Sequence, residues 1–368
     1  MHSPVLTIVS FILIFTVVVV SHEFGHYLIA RLNGIKVNEF SIGMGPALFK
    51  KKGKMTTFVI RLLPIGGACI FEGEDGVVAI PSEEEGEDPE TAEMKKSLEA
   101  KNFNDAPVWS RIASVFAGPI FNIILAYLLA LFIVWFCGAD LTTVASVMEG
   151  YPAEAAGIQA GDVITKIDGH ATHLYREVMV YSYMNSGKEM KIEYSRDGQK
   201  YTTSLTPMYS EEDGRYYIGL KGGGDYIKCN NLRVFKYSWY EVRYWLVATV
   251  ESLKYMVTGH AKLDDLAGPV GVANIIDDTI EETAPMGGFT VLLNMMNIAV
   301  LLSVNLGVLN LLPVPALDGG RLLFLIFEAV SGRKLPPEKE GIVHLIGFVL
   351  LMILMLVVLF NDIGRFFR

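Results

Sequence analysis

The strongest constraint on this chain is an uncharged run that leads straight into ionisable residues. From Ser3 to Ser21 there is no charged side chain, and the next five residues are His22, Glu23, Phe24, Gly25 and His26. About 20 apolar residues carry an α-helix across the hydrocarbon layer, so the run and these five together span most of a bilayer. Backbone in lipid must satisfy its own hydrogen bonds, which makes the segment helical. Four residues along a helix is about one turn and ~6 Å of rise, so His22 and His26 point the same way. Ionisable groups at that depth are costly and are kept for function.

Two histidines four apart with a glutamate after the first form the HExxH arrangement. In it the imidazoles hold zinc, and the glutamate, which is not a ligand, takes a proton from the attacking water. This is hydrolytic chemistry. Chance supplies on the order of 0.01 such matches in a chain of this composition. The bland alternative is a pair of helix-end histidines that snorkel to the interface.

Composition widens the membrane reading. Of 368 residues, 51% are hydrophobic and 19% charged, so much of the chain belongs in lipid. Four uncharged or nearly uncharged stretches qualify as spans: residues 3–21, 112–139, 283–317 and 341–360. The third is too long for one straight crossing and must contain a turn or a cap. The first has no basic leader and no small-residue cleavage site, and is expected to stay in the mature protein. Three cysteines, Cys69, Cys137 and Cys229, lack CxxC spacing and indicate neither a disulfide framework nor a thiolate metal site. A net charge of −9 argues against nucleic acid as a partner.

In chain order, residues 1–34 form the first transmembrane helix. Residues 35–71 carry short alternating patterns broken by Gly43, Gly45, Pro46 and Gly53, which predict one or two β-hairpins. Arg31, Lys36, Lys50, Lys51, Lys52, Lys54 and Arg61 against the single acid Glu39 place this region, and the HExxH end of the helix, on the cytoplasmic side. A sheet there offers an edge to an extended peptide. Residues 72–107 are acidic around SEEEGEDPE and read as a solvated cytoplasmic loop; EF-hand spacing for calcium is missing.

The second transmembrane helix, 108–139, contains AGPIFN, Ala117 to Asn122, a close-packing or kink site in which Asn122 can bond another helix. Residues 140–222 turn β-rich: Gly157 and Gly161 punctuate YPAEAAGIQAGDVITKIDG, and strands are expected at VITKI, 190–195, 200–206 and 216–220. Residues 223–282 are aromatic and basic, with Arg233, Lys236, Trp239, Tyr240, Arg243, Tyr244 and Trp245, and predict an amphipathic helix at the membrane surface.

The third transmembrane segment, 283–330, carries NLGVLNLLPVPALDGGR, Asn305 to Arg321. Two asparagines, two prolines and an aspartate at the end of a hydrophobic helix predict a broken helix around a protein-lined site. Asp318 is the candidate third metal ligand, because two histidines leave a tetrahedral ion short and a carboxylate plus one open position completes a catalytic site. The alternative has Asp318 capping a helix that begins at Gly319. A basic cytoplasmic loop, 331–340, leads to the fourth transmembrane helix, 341–368, which holds His344, expected to pack or face a neighbour.

The stretch Tyr151 to Gly169 resembles a PDZ domain, and with HExxH in the first span and N-x-x-P-x-P-x-L-D-G at Asn310 to Gly319 the whole chain resembles the site-2 protease family in order. That resemblance implies a polytopic α-helical membrane protein of four transmembrane helices, with a cytoplasmic-side membrane-reentrant β-hairpin region and an inserted extracytoplasmic β-rich PDZ-like domain. It implies one zinc ion on His22, His26 and Asp318, with Glu23 as catalytic acid/base. Pro64, Ile65, Gly66 and Gly67 would end the reentrant loop that presents substrate, and Asn310, Pro313 and Pro315 would lie near substrate. The implied partners are single-span membrane proteins such as anti-sigma factors or signal-peptide remnants, the lipid bilayer, and a peptide at the PDZ domain. The implied place is the bacterial cytoplasmic membrane. Enterobacterial members carry two tandem PDZ domains, and this chain has room for one. Two rivals use the same residues: a membrane scaffold with a structural metal, and a membrane-anchored metalloprotease acting on soluble peptides.

Overall fold

The uncharged runs fold as helices and the glycine-punctuated runs as strands. A computed structural model of the protein describes residues 4–72, 101–185, 187–211, 215–222, 226–259, 267–334 and 336–365. In order, the elements are α1 (Pro4–Leu32), β1 (Val37–Lys52), β2 (Thr57–Phe71), α2 (Val108–Cys137), β3 (Ala139–Asp140), β4 (Ser146–Val147), α3 (Pro152–Ala155), β5 (Val163–Ile167) and β6 (His170–Ala171). Then come α4 (Tyr175–Met184), β7 (Met190–Arg196), β8 (Gln199–Leu205), β9 (Met208–Ser210), β10 (Arg215–Tyr217), β11 (Leu220–Lys221) and β12 (Tyr226–Ile227). The chain closes with α5 (Leu232–Val257), α6 (Pro269–Thr283), α7 (Gly288–Asn310), α8 (Asp318–Ser331) and α9 (Pro337–Arg365). Most of the acidic stretch expected as a loop, residues 73–100, lies outside the described residues.

Among the described residues, four helices are long and apolar enough to cross a membrane: Pro4–Leu32, Val108–Cys137, Gly288–Asn310 and Lys339–Gly364. The over-long third stretch, 283–317, holds α7 and then a non-helical link at residues 311–317, beyond which α8 completes the segment 283–330. Proline cannot donate to an i→i−4 bond and restricts the residue before it, so Pro313 and Pro315 enforce that break.

The chain divides into two compact units, Met1–Ala126 with Leu263–Arg368, and Tyr127–Lys262. In the first, β1 and β2 are more than a simple hairpin. Residues 39–42 of β1 face both 57–60 and 67–70 of β2, while 49–52 face 57–60, so four runs lie side by side with 67–70 at one edge. Gly43 makes the bend possible: its φ is +87°, and a Cβ there would stand 2.4 Å from the Leu63 carbonyl oxygen. A core of Ala30, Ile35, Val37, Phe71, Phe103, Val115, Leu322 and Leu325 joins this sheet to α1, α2 and α8. Arg111 of α2 grips Glu328 of α8 with two hydrogen bonds of 3.0 and 2.5 Å, a planar fork that fixes direction as well as distance.

The second unit holds a four-stranded sheet in the order β6-β5-β7-β8. Its core is the inward set Ile164, Ile167, Met190, Ile192, Tyr194 and Leu205, alternating along β7 and spaced by a register shift in β5, with Val178 from α4. The expected strands at VITKI, 190–195 and 200–206 are β5, β7 and β8, and the region expected at 216–220 appears as the short β10 and β11.

Candidate active site

Helix α1 delivers His22, Glu23 and His26, and the first residue of α8 delivers Asp318. Both histidines are buried and Glu23 is half-buried. Asp318 does open its helix, with Leu317 at the cap position, but its carboxylate turns to the histidines. Its Oδ2 lies 3.0 Å from His22 Nε2 and 3.3 Å from His26 Nε2, and the two Nε2 atoms are 3.1 Å apart. Ligand atoms at ~2.0–2.1 Å from a tetrahedral ion stand about 3.3 Å from one another, so these separations fit one cation. Asp318 Oδ2 is buried without a well-formed hydrogen bond, a cost that a cation would remove.

Helix α2 supports this group, a role sequence reading did not give it. His26 Nδ1 meets the Ser114 carbonyl at 2.9 Å, which directs Nε2 to the ligand position. Gly118 lets the helix come in: a Cβ there would fall 2.3 Å from His26 Nε2 and 2.9 Å from His22 Cε1. Gly25 does the same from α1, where a Cβ would reach 2.5 Å from the Ala117 oxygen. Asn122, expected to bond another helix, sits with its side-chain nitrogen 3.3 Å from His22 Nδ1. The available signal was the spacing of Gly118 and Asn122, one turn apart inside a span.

The strand edge at 67–70 lies against Glu23. The Cys69 main-chain N–H donates to the Glu23 carboxylate, and a Cβ on Gly67 would stand 3.0 Å from Glu23 Cγ. Pro64, Ile65, Gly66 and Gly67 all belong to β2, and Gly67 closely approaches the glutamate.

Asn310 ends α7, while Pro313 and Pro315 stand in the link to Asp318. That link folds onto α8: a Cβ on Gly319 would be 2.2 Å from the Leu312 oxygen, and one on Gly320 2.4 Å from the Val314 oxygen. The two glycines of the DGG run are thus needed for packing. Ala316 adopts a left-handed φ of +79°, and its N–H donates to His344 Nδ1 of α9 at 2.9 Å. His344 therefore holds the link rather than the metal group.

Two histidines and a carboxylate thus converge among helices of membrane-crossing length, a group that could hold one metal ion. Peptidase family M50 matches residues 10–354 of the chain. A Clostridium acetobutylicum chain is 36% identical over 357 residues, covering 97% of each chain. The zinc metalloprotease RasP of Shouchella clausii is 33% identical over 423 residues, 98% of this chain and 99% of its own. The regulator of sigma-W protease RasP of Bacillus subtilis is 32% identical over 425 residues, again 98% and 99%. Among solved structures, the PDZ domain of an SdrC-like protein from Listeria monocytogenes is similar to 23% of this chain and 87% of its own, with 28% identity and a TM-score of 0.21. The chain belongs to peptidase family M50, the site-2 proteases, and is a multi-pass zinc metalloprotease.

Proposed function

We propose that the protein cleaves single-span membrane proteins within or near the bilayer, with one zinc ion held by His22, His26 and Asp318 and with Glu23 as the general base and acid. The observation that carries this reading is the convergence of those three ligand atoms, within 4.8 Å of one another, beside a carboxylate on the same helix turn. When bound, zinc supplies Lewis-acid polarisation of the water and of the scissile carbonyl. Glu23 takes the water's proton and passes it to the leaving amine, its carboxylate steadied by the Cys69 N–H.

A substrate helix hides its carbonyls in i→i−4 bonds and must open before attack. The edge of β2 at 67–70 runs past Glu23 and offers strand addition to an extended segment, which favours Pro64, Ile65, Gly66 and Gly67 as substrate contacts. Asn310, Pro313 and Pro315 flank the link to Asp318 and complete the proposed substrate path. The cluster Arg31, Lys36, Lys50, Lys51, Lys52, Lys54 and Arg61 favours a cytoplasmic site, with the PDZ-like unit on the other face, where it would bind a peptide or exclude folded substrates. A relative named for regulating sigma-W favours anti-sigma factors among the substrates, with signal-peptide remnants as a second group.

The test is zinc content of purified wild type, His22→Ala and Asp318→Ala, alongside cleavage of a single-span substrate in detergent. Stoichiometric zinc in the wild type alone, and cleavage by the wild type alone, is the expected result. Cleavage that survives both substitutions would overturn the assignment.

A further inference from the structure

Ser114, Gly118 and Asn122 are spaced four apart on α2 and so share one face, and all three meet the metal histidines. The Ser114 carbonyl faces His26 Nδ1, Gly118 leaves room for both rings, and Asn122 faces His22 Nδ1. Asn122 is fully buried, and its side-chain Oδ1 has no hydrogen-bond partner. Its backbone is pinned from α7, where Ser303 Oγ donates to the Asn122 carbonyl at 2.8 Å. The residue is anchored, and one of its polar atoms is idle.

The tautomer of His22 decides what that amide must do. With His22 Nε2 protonated and donating toward Asp318, Nδ1 is an acceptor and suits the Asn122 NH2 3.3 Å away. A histidine that gives Nε2 to a metal carries its proton on Nδ1 instead and needs an acceptor there. The idle Oδ1 belongs to the same amide, and half a turn of its terminal torsion exchanges the two atoms. Asparagine serves both tautomers; an apolar residue of its size serves neither, and a carboxylate serves only the metal-binding one.

We infer that Asn122 is a positioning residue for His22: with metal bound, its Oδ1 accepts the Nδ1–H of His22 and holds Nε2 toward the ion, as the Ser114 carbonyl does for His26. The inference rests on the zinc reading above.

It is tested by zinc affinity of the full chain in detergent, measured by competition with a chelating dye, for wild type, Asn122→Leu and Asn122→Asp. Loss of an outer-shell partner costs 10–100-fold in metal affinity, so Leu is expected to bind zinc that much more weakly while Asp binds at least as tightly as wild type. Leu within threefold of wild type, or Asp weaker by tenfold, overturns the inference. If the Leu variant does not fold, the Asp variant and the 15N spectrum of zinc-loaded wild type decide. A His22 Nδ1 that carries a hydrogen-bonded proton supports the role, and an unprotonated one refutes it. Wild type that takes up no zinc fails the zinc reading itself, a result distinct from any ordering of the variants.

Discussion

Around His22, His26 and Asp318 three lone-pair atoms converge on one point, whereas the buried carboxylates of the second unit each face a guanidinium. Glu177 pairs with Arg243, Glu241 with Arg176, and Asp162 with Arg196 at 2.7 Å. Glu177 also accepts the main-chain N–H of His173 at 2.5 Å and of Leu174 at 3.3 Å, closing the first turn of α4. Both clusters spend burial on ionisable groups. The second unit's cluster neutralises its charge within the chain and is a structural device; the first leaves its charge for a cation to complete.

Glu23→Gln removes the proposed base without touching a proposed ligand, so cleavage should fall by about 10²–10⁴-fold or more with zinc content unchanged. Turnover near wild type would move the proton transfer elsewhere. Glu177→Ala should cost about 3–5 kcal/mol in the thermal unfolding of the second unit, since it strands Arg243, and should leave zinc content intact. Zinc loss in that variant would erase the distinction between the two clusters.

Gly118→Ala pushes a methyl against both imidazoles and should weaken zinc by about 10–100-fold, a loss of the size expected for disturbed outer-shell support. Unchanged affinity would show that α1 and α2 can part at little cost. The smallest effect is in alkali. Burial pushes the Tyr175 phenol up to about 12 from an ordinary 10. A proton held more tightly when folded contributes stability that is present below pH 10 and lost as pH rises toward about 12. Tyr175→Phe should flatten that decline, measured by chemical unfolding of the protein between these pH values; an unaltered slope would assign the decline to another group.

The HExxH turn was legible because its chemistry depends on spacing along one helix, and the four spans were legible because lipid demands unbroken apolar length. Asp318 was legible as a candidate from its place after Pro313 and Pro315 at the end of a hydrophobic helix. The strands of the second unit followed from β-rich runs punctuated by Gly and Asp-Gly turns. The doubling back of β1 and β2 was not legible, since it depends on which runs meet across Gly43 and Gly45 rather than on local pattern. Nor was the contact of Ala316 with His344, 28 residues apart.

By itself, then, the sequence determined which groups can ligate a metal and which segments are long and apolar enough to cross a membrane, because helical periodicity and apolar length are local properties. Only the tertiary structure decided that Asp318 meets both histidines, that Gly67 and Cys69 meet Glu23, and that one face of α2 meets both imidazoles. Those meetings join residues about 45 to 300 positions apart, and they are set largely by close packing at glycines, which no local pattern encodes.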